Sequence, residues 1–159
     1  MAGDIFAKER AIVTLTSSGA SLTNNSAGVA NGTADLDARS TGNAPDDLQC
    51  QLEFTCQWAT ITGIVNGTNC ADLYLVPILD GTNLPDIDLT AGASNLPYAT
   101  YVGSFGAIKA PTANTNMRFI SPVVQLAPRL YRPYIKNVSG QTISANWTLK
   151  VVSDRGQYS

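Results

Sequence analysis

Over residues 48–58 the chain alternates with a period of two. Leu48, Cys50, Leu52, Phe54, Cys56 and Trp58 fall on one face, and Gln49, Gln51, Glu53, Thr55 and Gln57 on the other. A strand gathers such positions on one side, whereas a helix at 3.6 residues per turn spreads them around its circumference. The spacing predicts one long strand with a single buried face, running on through Ile61 to Val65. Residues 142–151 repeat the pattern: Ile143, Ala145, Trp147, Leu149 and Val151 are apolar, with Thr142, Ser144, Asn146, Thr148 and Lys150 between them.

Shorter segments read as strands too. Residues 11–16 are short and rich in β-branched side chains. Residues 71–79 are apolar on both faces, and Pro77 there signals an edge or a bulge. Residues 98–105 place Tyr101 and Phe105 on one face, residues 117–126 are broken by Pro122, and residues 130–138 contain Pro133. Asn66-Gly67 between two apolar runs is a hairpin signal, and Asn31-Gly32 fits a small hairpin between Val29 and Leu36. Asp80-Gly81 and Ser139-Gly140 mark further turns. Residues 4–10 fit a helical turn or two, and no longer helix pattern occurs. Residues 17–47 and 80–96 are loop-like, the first holding at most a short hairpin, and a loop that long in a compact domain is functional or ordered by a partner. About eight short strands with Gly, Pro and Asn turns predict an all-β antiparallel sandwich, with a jelly roll preferred over an immunoglobulin-like arrangement. The domain spans residues 12–159, preceded by an N-terminal arm over residues 1–11.

Composition narrows the chemistry. The chain has 159 residues, 44% hydrophobic and only 14% charged. At that size about two-thirds of the unfolded surface can be buried, so no metal or disulfide is needed for stability. Histidine is absent, which excludes His triads, His-ligated zinc or haem and imidazole switches. A general base would have to be Asp, Glu, Lys, Tyr or Cys. Only Glu9 and Glu53 represent Glu, and Cys56 has no His to activate it. Phosphate-binding loops, dinucleotide fingerprints and nucleophile elbows do not occur. The expectation is a protein that is not an enzyme and takes no cofactor.

The N-terminus lacks an apolar stretch of signal-peptide length, and no segment is apolar enough to span a membrane. Synthesis in a cytoplasm is therefore expected, with Cys50, Cys56 and Cys70 packed as reduced thiols. Along one strand Cys50 and Cys56 lie about 20 Å apart, too far for a bridge. The five Asn-x-Ser/Thr sequons, at Asn24, Asn31, Asn66, Asn137 and Asn146, are expected to be incidental. Asp80, Asn83, Asp86 and Asp88 offer oxygen ligands that would suit calcium, although their spacing fits no EF-hand and a solvated loop with Asx turns explains them as well. Trp58 and Trp147 fall on apolar faces and are expected in the core. Tyr74, Tyr98, Tyr101, Tyr131 and Tyr134 remain as candidate surface platforms for carbohydrate.

Charge is segregated. Residues 1–88 carry eleven acidic and three basic side chains, a balance of −8, and residues 89–159 carry one acidic and seven basic, a balance of +6. Either the halves interleave within one subunit and neutralise, or they form opposed patches that orient neighbours. Arg118, Arg129, Arg132 and Lys136, with Tyr131 and Tyr134 among them, form the densest basic set. With a pI near 4.8, a protein contact accounts for this set better than nucleic acid does. Ile5 and Phe6 are further contact candidates if the arm orders on a neighbour.

Four phrases carry a resemblance: Val13-Thr-Leu-Thr-Ser-Ser-Gly, Trp58-Ala-Thr-Ile-Thr-Gly, Tyr74-Leu-Val-Pro-Ile-Leu-Asp-Gly-Thr-Asn and Ser139-Gly-Gln-Thr-Ile-Ser-Ala-Asn-Trp-Thr-Leu. Together they resemble small structural proteins of tailed bacteriophages, most like jelly-roll capsid decoration (cement) proteins. The resemblance implies a homo-oligomer, trimer favoured, bound to the major capsid protein where capsomers meet on the virion surface. It brings no site residues with it. Two alternatives stay open: a tail- or fibre-associated β-sandwich that binds a receptor glycan, and a minor capsid or tail-tube component.

Overall fold

Along residues 49–58 every second side chain is buried: Cys50, Leu52, Phe54, Cys56 and Trp58 lie in the core, and Gln51 is exposed between them. The same rule builds the rest of a computed structural model, which describes residues 5–9, 12–29, 36–37, 47–79 and 100–158. Its strands are β1 (Ile5–Glu9), β2 (Val13–Gly19), β3 (Ala27–Val29), β4 (Leu36–Asp37), β5 (Asp47–Cys56), β6 (Thr68–Ile78), β7 (Thr100–Ile108), β8 (Met117–Ile120), β9 (Val124–Gln125), β10 (Leu130–Asn137) and β11 (Trp147–Tyr158).

All pairings are antiparallel. Several short strands lie end to end on one partner. β1 and β2 both line β11, β3 and β4 both line β10, and β8 and β9 both line β5. The pairings nest like a long hairpin: β1 and β2 with β11, then β3 and β4 with β10, then β5 with β8 and β9, then β6 with β7. Joining β11 to β5 makes the first sheet, and joining β10 to β6 makes the second. A nested hairpin rolled into two facing sheets in this order is a jelly roll.

The sheets meet through Leu52, Phe54, Trp147 and Leu149 from the first and Leu73, Leu75, Phe105 and Ile135 from the second. Phe54 stacks on Phe105 across the sheets at 5.2 Å between centroids and lies 5.6 Å from Trp147. Trp58 meets Phe119 edge-on at 6.5 Å. Such ring pairs add about 0.5–1.5 kcal/mol each beyond their area burial.

The prolines sit where ladders are interrupted. Pro133 lies inside β10, opposite Leu75 of β6, and on its other side falls in the gap between β3 and β4. Pro77 lies beyond the end of the β6–β7 pairing at Leu75. Pro122 separates β8 from β9, where the Ser121 hydroxyl takes the backbone N–H of Leu52 at 3.0 Å.

Several sequence expectations are corrected. Residues 5–9 are a strand on the chain's own β11, not a helical turn, because their backbone groups find a long edge to pair with. β5 ends at Cys56. Trp58 keeps the alternation through a single bridge to Ile143, and the chain then turns, with Ile64 donating to the Ile61 carbonyl at 3.0 Å and Val65 exposed. Asn66-Gly67 is a turn, with Gly67 at φ 94°, but it carries the chain from one sheet to the other and closes no hairpin. Val29 and Leu36 do not face each other either; they lie in line along β10, opposite Tyr134 and Tyr131. The stretch after residue 17 thus holds the end of β2 together with β3 and β4. The last strand starts at Trp147, because Asn146 adopts a left-handed φ of 68° that breaks the run from Ile143, and Ala145 is exposed.

Candidate functional site

The expected basic set is divided by the fold. Arg118 is exposed on the outer face of the first sheet, whereas Arg132 and Lys136 are half-buried on the outward side of β10 in the second, and Arg129 is exposed just before that strand. Tyr131 alternates to the inner face, is buried in the core and donates its hydroxyl to the Ala127 carbonyl at 3.2 Å. Tyr134 points outward yet is 1% exposed. Neither tyrosine is the surface platform the sequence suggested, because position along β10 and local packing decide exposure. β1 contains Ile5 and Phe6. Tyr98 and the acidic loop Asp80–Asp88 lie outside the described residues.

On the first sheet, cross-strand register sets Thr14, Lys150, Glu53 and Ile120 in a row. Arg118 grips one oxygen of Glu53 through Nε at 2.6 Å and Nη2 at 2.5 Å, and Lys150 Nζ lies 3.6 Å from the other oxygen. The Arg118 side chain is 67% exposed, so the pair adds about 0–1 kcal/mol to stability. These three groups line a surface depression together with Ile12, Gln51 and Ile120. Ile12 is 67% and Ile120 56% exposed. Glu53, Lys150 and Arg118 come from three different strands, and Glu53 of the acidic half meets Arg118 and Lys150 of the basic half. The charge gradient therefore interleaves here.

On the second sheet, Tyr101 stands beside Tyr74 with ring centroids 5.5 Å apart and planes 61° to each other. Ser104 donates to Asp72 Oδ1 at 2.6 Å, and the Tyr101 hydroxyl lies 3.0 Å from Ser104 Oγ. A serine has one proton, so Tyr101 is the donor in the second contact. Burial first, then the Asp72 carboxylate and Tyr101, push the Tyr74 phenol above its ordinary range. The sequence places Tyr101 with Phe105, but Phe105 is core and Tyr101 is exposed. A register shift between Leu73 and Tyr74 changes the face, and single-sequence alternation carries no signal for it.

Between the sheets, Cys56 and Cys70 bring their sulfurs to 3.5 Å. All three cysteines are buried free thiols. The Cys56–Cys70 contact joins strands of opposite sheets, which spacing along one strand does not reveal. Among the described residues no three His, Cys, Asp or Glu side chains group as a metal site, and no helix is long and apolar enough to cross a membrane.

The strand order defines a jelly-roll β-sandwich with two outer faces. No family model matches the chain, and no curated protein matches it in sequence. In structure it is similar to the VP2 subviral particle of infectious bursal disease virus, with a TM-score of 0.44 and 12% identity over 92% of this chain, which spans 32% of that one. It is similar to the capsid protein of the 60-mer BFDV particle, at TM-score 0.39 and 12% identity, covering 99% of this chain and 95% of that one. It is also similar to the C-terminal CBM6 of LamC from marine Zobellia galactanivorans, at TM-score 0.34 and 11% identity, covering 93% and 98%. At these TM-scores the jelly-roll assignment rests on the strand order.

Proposed function

We propose that this chain is a non-catalytic structural protein of a virion, one that decorates and stabilises a bacteriophage capsid from the outside. It binds the major capsid protein at capsomer junctions as a homo-oligomer, trimer favoured. The observation that supports this reading is the outer face of the first sheet. Ile12 and Ile120 are exposed there beside Glu53, whose carboxylate is held by Arg118 and Lys150 in a group of net charge +1. Burial of these two isoleucines on a partner gains apolar contact, and the net positive charge beside them suits a partner surface carrying acidic groups. Each copy adds a modest contact, and repetition over the shell with two or more feet per oligomer multiplies the effect.

Adding purified protein to heads that lack it tests the reading. Bound protein is expected to sediment with the heads and raise their disruption temperature. Ile120→Asp, which places a charge on the patch, is expected to abolish both while leaving the protein's own melting unchanged. Wild-type protein that neither binds nor protects heads would refute the reading.

A further inference from the structure

We propose that the outer face of the second sheet holds a binding site for a neutral saccharide, built on Tyr101, Tyr74, Asp72, Ser104 and Lys136. Strict alternation would send Tyr101 into the core. The register shift in the β6–β7 ladder, with Gly103 at φ 151°, turns it outward instead. That backbone region favours glycine, which has no Cβ to clash. A bulge forgoes regular pairing, and this one re-aims an aromatic side chain, as bulges beside functional sites do. The result is an exposed ring, 54% accessible, held edge-to-face on Tyr74 and tied by its hydroxyl through Ser104 to Asp72.

The arrangement suits a sugar. A pyranose has a C–H face and a rim of hydroxyls at fixed spacing. An aromatic face carries negative quadrupole charge and attracts the C–H face. A carboxylate accepts hydroxyl protons, and an ammonium donates to hydroxyl oxygens. Ser104 takes one oxygen of Asp72, and Lys136 sits across from Asp72 in the register. A rigid aromatic flanked by a few positioned polar groups is the composition of a small-ligand site. This face lies on the sheet opposite the proposed capsid contact, so either proposal can fail without the other.

Saturation-transfer NMR on the intact chain with cellohexaose, maltohexaose and chitohexaose tests it. At least one is expected to show transfer, weakened about tenfold or more by Tyr101→Ala and by Asp72→Asn, as loss of one stacking or charged contact predicts. Gln125→Ala, an exposed change on the other sheet, is expected to leave it intact. Circular dichroism melts identify any variant that fails to fold, and the remaining variant then decides. No transfer from any of the three sugars, transfer indifferent to the substitutions, or preference of these tyrosines for a proline-rich peptide would overturn the proposal.

Discussion

Asn137 is fully buried at the end of β10, and its side chain is used at both ends. The amide nitrogen donates to the carbonyls of Leu22 at 2.8 Å and Gln141 at 2.7 Å. The amide oxygen accepts from Ser139 N at 3.0 Å and Ser139 Oγ at 2.7 Å, and Ser139 Oγ in turn accepts from Trp58 Nε1 at 2.9 Å. Removing the amide leaves several buried groups unpaired, so Asn137→Ala is expected to lower stability by about 2–4 kcal/mol. Urea denaturation checks it, and a loss below about 1 kcal/mol would contradict the hub. In the sequence Asn137 reads only as a sequon; its role is invisible there because Leu22 and Trp58 are distant along the chain. The thiols make a second residue-scale case. Burial above all, then the hydrogen bond to Cys56 and that group's charge, push the Cys70 thiol far above its usual range. An unfolded thiol ionises near about pH 8.5, while the folded one keeps its proton. The unfolded state then binds fewer protons, and stability is lost as pH rises past that value, by up to about 1.4 kcal/mol per pH unit. Unfolding at about pH 7 and about pH 9.5 is expected to show this fall, reduced in Cys70→Ala.

Among the elements, β2 and β11 show how local irregularity is built in. Two register shifts in their ladder leave Leu15 and Thr16 both buried, so adjacent residues of β2 face inward. At the end of the pair Trp147 lies flat against Gly19 and donates its indole N–H to the Ala20 carbonyl at 2.7 Å. A Cβ at Gly19 would stand 1.9 Å from the Trp147 ring. Gly19→Ala is therefore expected to destabilise by about 1–3 kcal/mol or more through overpacking, read as a lower melting temperature; an unchanged melt would contradict the contact. The alternation of β5 was legible because every residue obeys one period, and the break at Pro122 was legible because proline has no N–H to donate to a ladder. The outward turn of Tyr101 was not legible, since a bulge is a property of two strands read together.

At the scale of the molecule, acidic and basic halves meet because the nested hairpin interleaves early and late strands. β5 lies between β11 and β8, and β6 between β10 and β7. Glu53 so finds Arg118 and Lys150, and Asp72 stands opposite Lys136. Local chemistry along the chain was enough to determine an all-β class, the buried faces of β5 and of the first part of β11 and the turns at Asn66-Gly67 and Ser139-Gly140, because side-chain periodicity and backbone preference act over a few residues. Which strands pair, which thiols touch and which tyrosine faces water were decided only by tertiary structure. Those contacts join segments far apart in sequence, and the packing of two sheets against each other selects the register.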